Sequence, residues 1–314
     1  MYIEQVFYQA TDTAKLSGLI YKSQNKTNKI LISTHGMATN CLKKRDKEIA
    51  KKLTENNIDC LVYNNRGHDI ITYTRKETGK KLTGTAYEDV EEGYNDLIGT
   101  INYAISKGYE KIYLQGHSLG ATKTLYTYNK LKCESNGITV DSVNTVTTMS
   151  KNEANKILKH INAVILLSLI DIPFATKIYL GKEYPQIMTY AKNMEKENMQ
   201  DILMPVQAFI HPISVKTFLK YTRDYSNIDF ARYSDINYTY PELNNIDVPL
   251  FMRWGNNKEL IMQKADELCD ILSNKIQNNR LDIDYIDGAN HSYTDKEEIL
   301  ASQICNFIKK GQTS

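Results

Sequence analysis

Short apolar runs alternate with longer amphipathic stretches along most of the chain. Residues 4–9 and 15–21 read as two antiparallel strands joined by a turn at Ala10-Thr11-Asp12-Thr13. Six further apolar runs, at 29–33, 59–63, 111–115, 163–168, 249–254 and 281–286, predict six more strands. Helical periodicity fills the intervals at 43–56, 86–107, 121–131 and 260–276. In the second of these, Val90, Tyr94, Leu97, Ile101 and Ile105 recur at spacings of three and four, which places them on one helix face. Strands bounded by helices predict an α/β fold: an eight-stranded, mostly parallel sheet flanked by helices on both faces.

Residues 171–248 break this rhythm, because usual connections between core strands are far shorter. Twelve of the chain's 30 aromatic residues fall within 174–240, together with Met188, Met194, Met199 and Met204. This predicts a helical cap at 171–246, inserted before the penultimate strand, with 1–170 and 247–314 forming the core. Gly36, Phe209, Phe218 and Tyr221 are the substrate-binding candidates, and Tyr225 joins the aromatic set. The alternative for the cap aromatics is burial in the cap's own core. Residues 134–161 are polar and rich in Thr, Ser and Asn, and predict a surface excursion before a short helix.

Charge adds exclusions. With 39 basic and 37 acidic residues there is no basic stripe to suggest nucleic acid or an anionic membrane. The longest apolar run, at 163–167, is far short of the ~20 residues a membrane span needs. Met1-Tyr2-Ile3-Glu4-Gln5 does not open like a signal peptide. Cys41, Cys60, Cys133, Cys269 and Cys305 are scattered and odd in number, which argues against a disulfide framework or a zinc site. A reduced cytoplasm is the expected location, no metal is expected, and a homodimer stays open.

The candidate chemistry begins at Gly116-His117-Ser118-Leu119-Gly120, which follows a predicted strand and opens a predicted helix. Strand, G-x-S-x-G, helix is the setting of a nucleophile elbow, in which a tight turn presents the serine hydroxyl at the carboxyl edge of a sheet. A serine needs a base. Of six histidines, His291 is the candidate, since Asp287-Gly288-Ala289-Asn290-His291-Ser292-Tyr293 lies just past the last strand, at the same sheet edge. The base needs a carboxylate on its other nitrogen. Glu259, in Gly255-Asn256-Asn257-Lys258-Glu259, is one source and Asp171 the alternative. The developing oxyanion needs backbone donors; the N–H of Leu119 and that of Met37, after Gly36, are the candidates.

These residues resemble the α/β-hydrolase superfamily over nearly the whole chain. The resemblance rests on element order and four motifs: His35-Gly36, Asn65-Arg66-Gly67-His68, Gly116-His117-Ser118-Leu119-Gly120 and Ala289-Asn290-His291-Ser292. Within that superfamily the chain looks like capped carboxylesterases and feruloyl-esterase-like hydrolases. One departure stands out: Lys258 occupies the third place after Gly255, where the family commonly has its acidic residue. The resemblance implies cleavage of a small, partly apolar acyl ester or thioester through an acyl-enzyme, without metal or organic cofactor. Acyl transfer or cyclisation with the same triad, a biosynthetic thioesterase, and a non-catalytic binding role remain open at this point.

Overall fold

A computed structural model describes residues 1–311 apart from 141–143, 225 and 260. In chain order the strands are β1 (Tyr2–Gln9), β2 (Lys15–Lys22), β3 (Lys29–Thr34), β4 (Asp59–Asn64), β5 (Thr72–Lys76), β6 (Gly79–Thr83), β7 (Lys111–His117), β8 (Ile161–Leu167), β9 (Leu250–Gly255) and β10 (Leu281–Ile286). The helices are α1 (Lys44–Thr54), α2 (Gly93–Ser106), α3 (Leu119–Ser135), α4 (Lys151–Leu158), α5 (Ile172–Leu180), α6 (Tyr184–Lys196), α7 (Val215–Thr222), α8 (Pro241–Asn244), α9 (Ala265–Lys275) and α10 (Glu297–Lys310).

Eight strands form one sheet in the order β1-β2-β4-β3-β7-β8-β9-β10. The pairs β1/β2 and β2/β4 are antiparallel and the rest are parallel. Each predicted strand is present, with ends shifted by a residue or two. The period-two geometry of a strand sorts its side chains. On β3, Ile30 and Ile32 join the cluster beneath α2 and α3, while Leu31 joins the cluster beneath α1 and α10. Each such side chain, fully buried, contributes about 1.5–3 kcal/mol.

The helix reading needs adjustment, and one pair of strands was not expected. Residues 72–83 form the hairpin β5–β6, which carries no apolar run because it is largely exposed. The helix expected from residue 86 begins at Gly93, after a 3₁₀ turn at Val90–Glu92 that Asp89 caps. His160 lies in the turn beyond α4, its N–H donating to Ile157 O. The start of the helix expected over 260–276 falls on Leu260, outside the described residues; α9 begins at Ala265.

Residues between β8 and β9 carry α5 to α8 joined by long irregular stretches. They do not have a separate core. Phe209, Phe218, Tyr221 and Leu243 belong to the same hydrophobic cluster as Leu114 and Leu166 of the sheet. Among the described residues no helix is long and apolar enough to cross a membrane.

Candidate active site

The sharpest backbone feature at the carboxyl edge of the sheet is Ser118. It has φ 55° and ψ −124° between the end of β7 and the first residue of α3. A non-glycine residue there is strained by roughly 1–3 kcal/mol and persists only where its surroundings hold it. Those surroundings are tight. A methyl group on Gly116 would lie 2.2 Å from the carbonyl oxygen of Gly120, and one on Gly120 would lie 2.2 Å from that of Thr34. Strand, helix and the end of β3 therefore meet at distances only glycine allows. The Ser118 N–H is also fixed, donating to Leu167 O at 2.8 Å.

His291 lies in the loop between β10 and α10. Its Nε2 accepts the Ser118 hydroxyl at 2.9 Å, and its Nδ1–H donates to Glu259 Oε1. The same glutamate's Oε2 accepts the Gly255 N–H at 3.1 Å and the Ser168 hydroxyl at 2.9 Å. Burial pushes the Glu259 carboxyl upward, but the hydrogen bond and charge of His291 outweigh it, aided by Gly255 and Ser168. The net result lies below the ordinary carboxylate range. Lys258, at φ 56°, sits in the left-handed region directly before Glu259, so the backbone turns sharply one residue short of it.

The loops carrying these two residues are tied together. Asn257 N–H donates to Ala289 O at 2.9 Å, and Gly288 N–H donates to Asn256 Oδ1 at 2.7 Å. A methyl on Gly255 would lie 2.1 Å from Ala289 O, so β9 must end in glycine for the loops to approach. His117, beside the serine, donates Nε2–H to the backbone oxygen of His291 at 2.7 Å. Burial holds its imidazole well below the usual range, reinforced by Arg45 and His291, so it is a neutral donor that anchors its neighbour. Ser168 and this role of His117 are not legible in the sequence, since each acts through a tertiary contact without a local motif.

Asp171, the alternative acid, is engaged elsewhere. Its side chain caps α5, accepting the Phe174 N–H at 3.0 Å. Burial raises its carboxyl to about 6, against the Phe174 hydrogen bond and with help from Asp229. His35 is buried and its imidazole is lowered to about 3, chiefly by burial. It accepts the Asn65 N–H on Nε2 at 3.3 Å and bonds Gly36 O through Nδ1 at 2.9 Å, so it braces the loop after β3.

That loop brings Gly36 against the serine: a methyl there would be 3.2 Å from Ser118 Cβ. The Met37 N–H makes no hydrogen bond to the described residues, and the Ala38 N–H that follows is held by Thr85 Oγ1 at 2.7 Å. Leu119 is the first residue of α3, where helix geometry supplies no acceptor for its N–H. Both amides border a cavity of about 580 Å³ at Ser118, or belong to a residue next to its lining.

Gly36, Met37, Ser118, His291 and Phe209 line this cavity, and so do Ile170, Ile172 and Ile210. Phe218 and Tyr221 do not, which corrects their assignment as pocket wall. Phe218 packs edge-on beneath Phe209, and the Tyr221 hydroxyl donates to Glu88 Oε1 at 2.7 Å in the interior. Tyr225 lies outside the described residues. Aromatic density marked the insertion's buried core more than its open face, while the aliphatic lining carried no distinguishing pattern.

No protein-family model matches the chain, and no curated protein matches it. Solved structures do. Est1E from Butyrivibrio proteoclasticus, solved with ferulic acid bound, superposes with a TM-score of 0.62 at 15% identity, covering 98% of this chain and 100% of that one. The α/β hydrolase GrgF from Penicillium sp. sh18 gives 0.63 at 16% identity over 100% of both chains. A soluble variant of monoglyceride lipase from Saccharomyces cerevisiae, in complex with a substrate analogue, gives 0.62 at 14% identity, covering 99% and 96%. The chain has the α/β-hydrolase fold.

Proposed function

We propose that the chain is a serine hydrolase that cleaves an ester or thioester of a small, partly apolar acyl compound. The observation that carries this reading is the unbroken hydrogen-bond path from Ser118 through His291 to Glu259. In this reading Ser118 Oγ attacks the acyl carbon as His291 Nε2 takes its proton. Glu259 keeps Nδ1 protonated, which leaves Nε2 free to accept, and it stabilises the imidazolium that forms. The N–H groups of Leu119 and Met37 hold the oxyanion; losing one such donor costs about 10²–10³ in turnover. His291 then protonates the leaving group, and a water activated by the same nitrogen releases the acid.

Residues 171–246 act as the lid of the site. Ile172, Thr176, Tyr179, Phe209 and Ile210, all from that segment, border the cavity, which supports this role. The esterases and lipase that share the fold are consistent with ester chemistry. Turnover of p-nitrophenyl butyrate tests the reading: the wild type should hydrolyse it, and Ser118→Ala should lose at least a thousandfold in kcat. A folded wild type without turnover on any acyl ester, or undiminished turnover in Ser118→Ala, overturns it.

A further inference from the structure

The cavity at Ser118 has two unlike walls. Ile170, Ile172, Ala175 and Ile210 make one side apolar. Lys43, Lys44 and Arg45, at the start of α1, bring three cations to the lining. Lys44 is already neutralised, its Nζ lying 3.1 Å from Glu297 Oε1. Arg45 is also ion-paired, its Nη2 lying 3.0 Å from Asp46 Oδ2, but its guanidinium keeps a free edge. Lys43 is exposed, and its ammonium has no ion-pair or hydrogen-bond partner among the described residues. Arg45 is a built feature, only 5% exposed. Its Nε and Nη2 donate to Asp46 Oδ1 at 3.3 and 3.2 Å, and Nη2 also reaches Oδ2 at 3.0 Å. Asp46 is held from behind by the Ser33 hydroxyl at 3.2 Å and by Gln115 Nε2 at 3.4 Å. Arg45 Nη1 makes no hydrogen bond to the described residues, although the side chain borders the cavity.

A buried guanidinium ordinarily satisfies its fork of donors, and one left open toward a cleft calls for an acceptor there. The charge reaches the residue beside Ser118. Apart from burial, the largest influence holding His117 down is Arg45, and Lys43 adds to it.

We propose that Lys43 and the open edge of Arg45 form a subsite for an anionic group, a carboxylate or a phosphate, on an ester whose other end is apolar. This deepens, and rests on, the serine-hydrolase reading. A guanidinium with two donors engaged on Asp46 can still give one charge-assisted bond, and the lysine supplies a mobile second contact. The apolar wall takes the remainder of the substrate, so the cleft orients an amphiphilic ester across Ser118.

The test compares three esters: p-nitrophenyl hexanoate, which is neutral; mono-p-nitrophenyl adipate, with a carboxylate on the acyl side; and 4-(hexanoyloxy)phenyl phosphate, with a phosphate on the leaving group. At low salt the wild type should favour one anionic ester over the neutral one by at least tenfold in kcat/KM. The favoured ester tells which side of Ser118 the anion occupies. The preference should shrink at least fivefold in Lys43→Gln and reverse in Lys43→Glu. Arg45→Gln would strand Asp46 and could unfold the protein, so the Lys43 variants carry the test.

No preference for either anionic ester, or a preference unchanged in both Lys43 variants, overturns the subsite. Calorimetric titration of the same esters into Ser118→Ala separates this from failure of the hydrolase reading. Tighter binding of an anionic ester without wild-type turnover leaves the subsite standing and sinks the hydrolase. Equal binding of neutral and anionic esters with turnover intact sinks the subsite alone.

Discussion

Behind His291 stands Glu259, reached through the left-handed turn at Lys258, while Asp171 spends its carboxylate on a helix end. The two carboxylates therefore respond differently to removal of charge. Glu259→Gln should lower kcat by up to about 10⁴, the loss seen when a triad acid becomes its amide, with an unchanged far-UV circular dichroism spectrum. Asp171→Asn should keep kcat within about threefold. A second prediction concerns stability. An unfolded aspartate titrates near ~3.9, whereas folding raises Asp171 to about 6. The native state thus holds the proton more tightly, so stability falls as pH rises from about 4 to 6 and stays reduced above that. Asparagine keeps the capping acceptor without the buried charge. Asp171→Asn should exceed the wild type in stability at pH 7.5 by up to about 3 kcal/mol, and the gap should close near pH 4. Urea titrations at the two pH values measure this.

At the scale of elements, the elbow and the helical insertion obey different rules. Tyr221 of α7 is fully buried and donates to Glu88, whose other oxygen takes the Lys123 ammonium at 2.5 Å. Tyr221→Phe removes one donor from that buried carboxylate and should cost about 1–3 kcal/mol in urea unfolding. KM for a small ester should stay within about twofold, because the hydroxyl does not face the cleft. A large KM change with unaltered stability would return Tyr221 to the pocket wall.

The same contrast explains what was readable in the sequence. Core strands such as β8 are buried on both faces and stand out as apolar runs, unbroken over 163–167. Gly116, Gly120 and Ser118 were readable because close backbone approach dictates glycine at set spacings. The choice between Glu259 and Asp171 was not, because it depends on how a loop turns at Lys258. Nor was the cleft lining. An apolar residue such as Ile170 or Phe218 has the same signature whether it borders a cavity or fills the interior, and only packing separates them.

Over the whole molecule, a mostly parallel sheet gathers residues 118, 259 and 291 from three separate loops at its carboxyl edge. One hydrophobic cluster runs from the sheet through the helical insertion, so the two have no independent cores. Urea unfolding followed by Trp254 fluorescence and by esterase activity should therefore give coincident transitions. Trp254 suits this purpose, being fully buried at the end of β9 with its Nε1–H donating to Leu169 O at 3.1 Å. Loss of activity well before the fluorescence change would mean that the insertion opens separately.

The central claim is that Ser118, activated through His291, is the nucleophile. Its most direct test is mass spectrometry of the folded protein after exposure to a fluorophosphonate. A single adduct is expected, mapped to the peptide carrying Ser118, absent in Ser118→Ala and formed at least tenfold more slowly in Glu259→Gln. No adduct on the folded wild type, or one that maps to another residue, would contradict it.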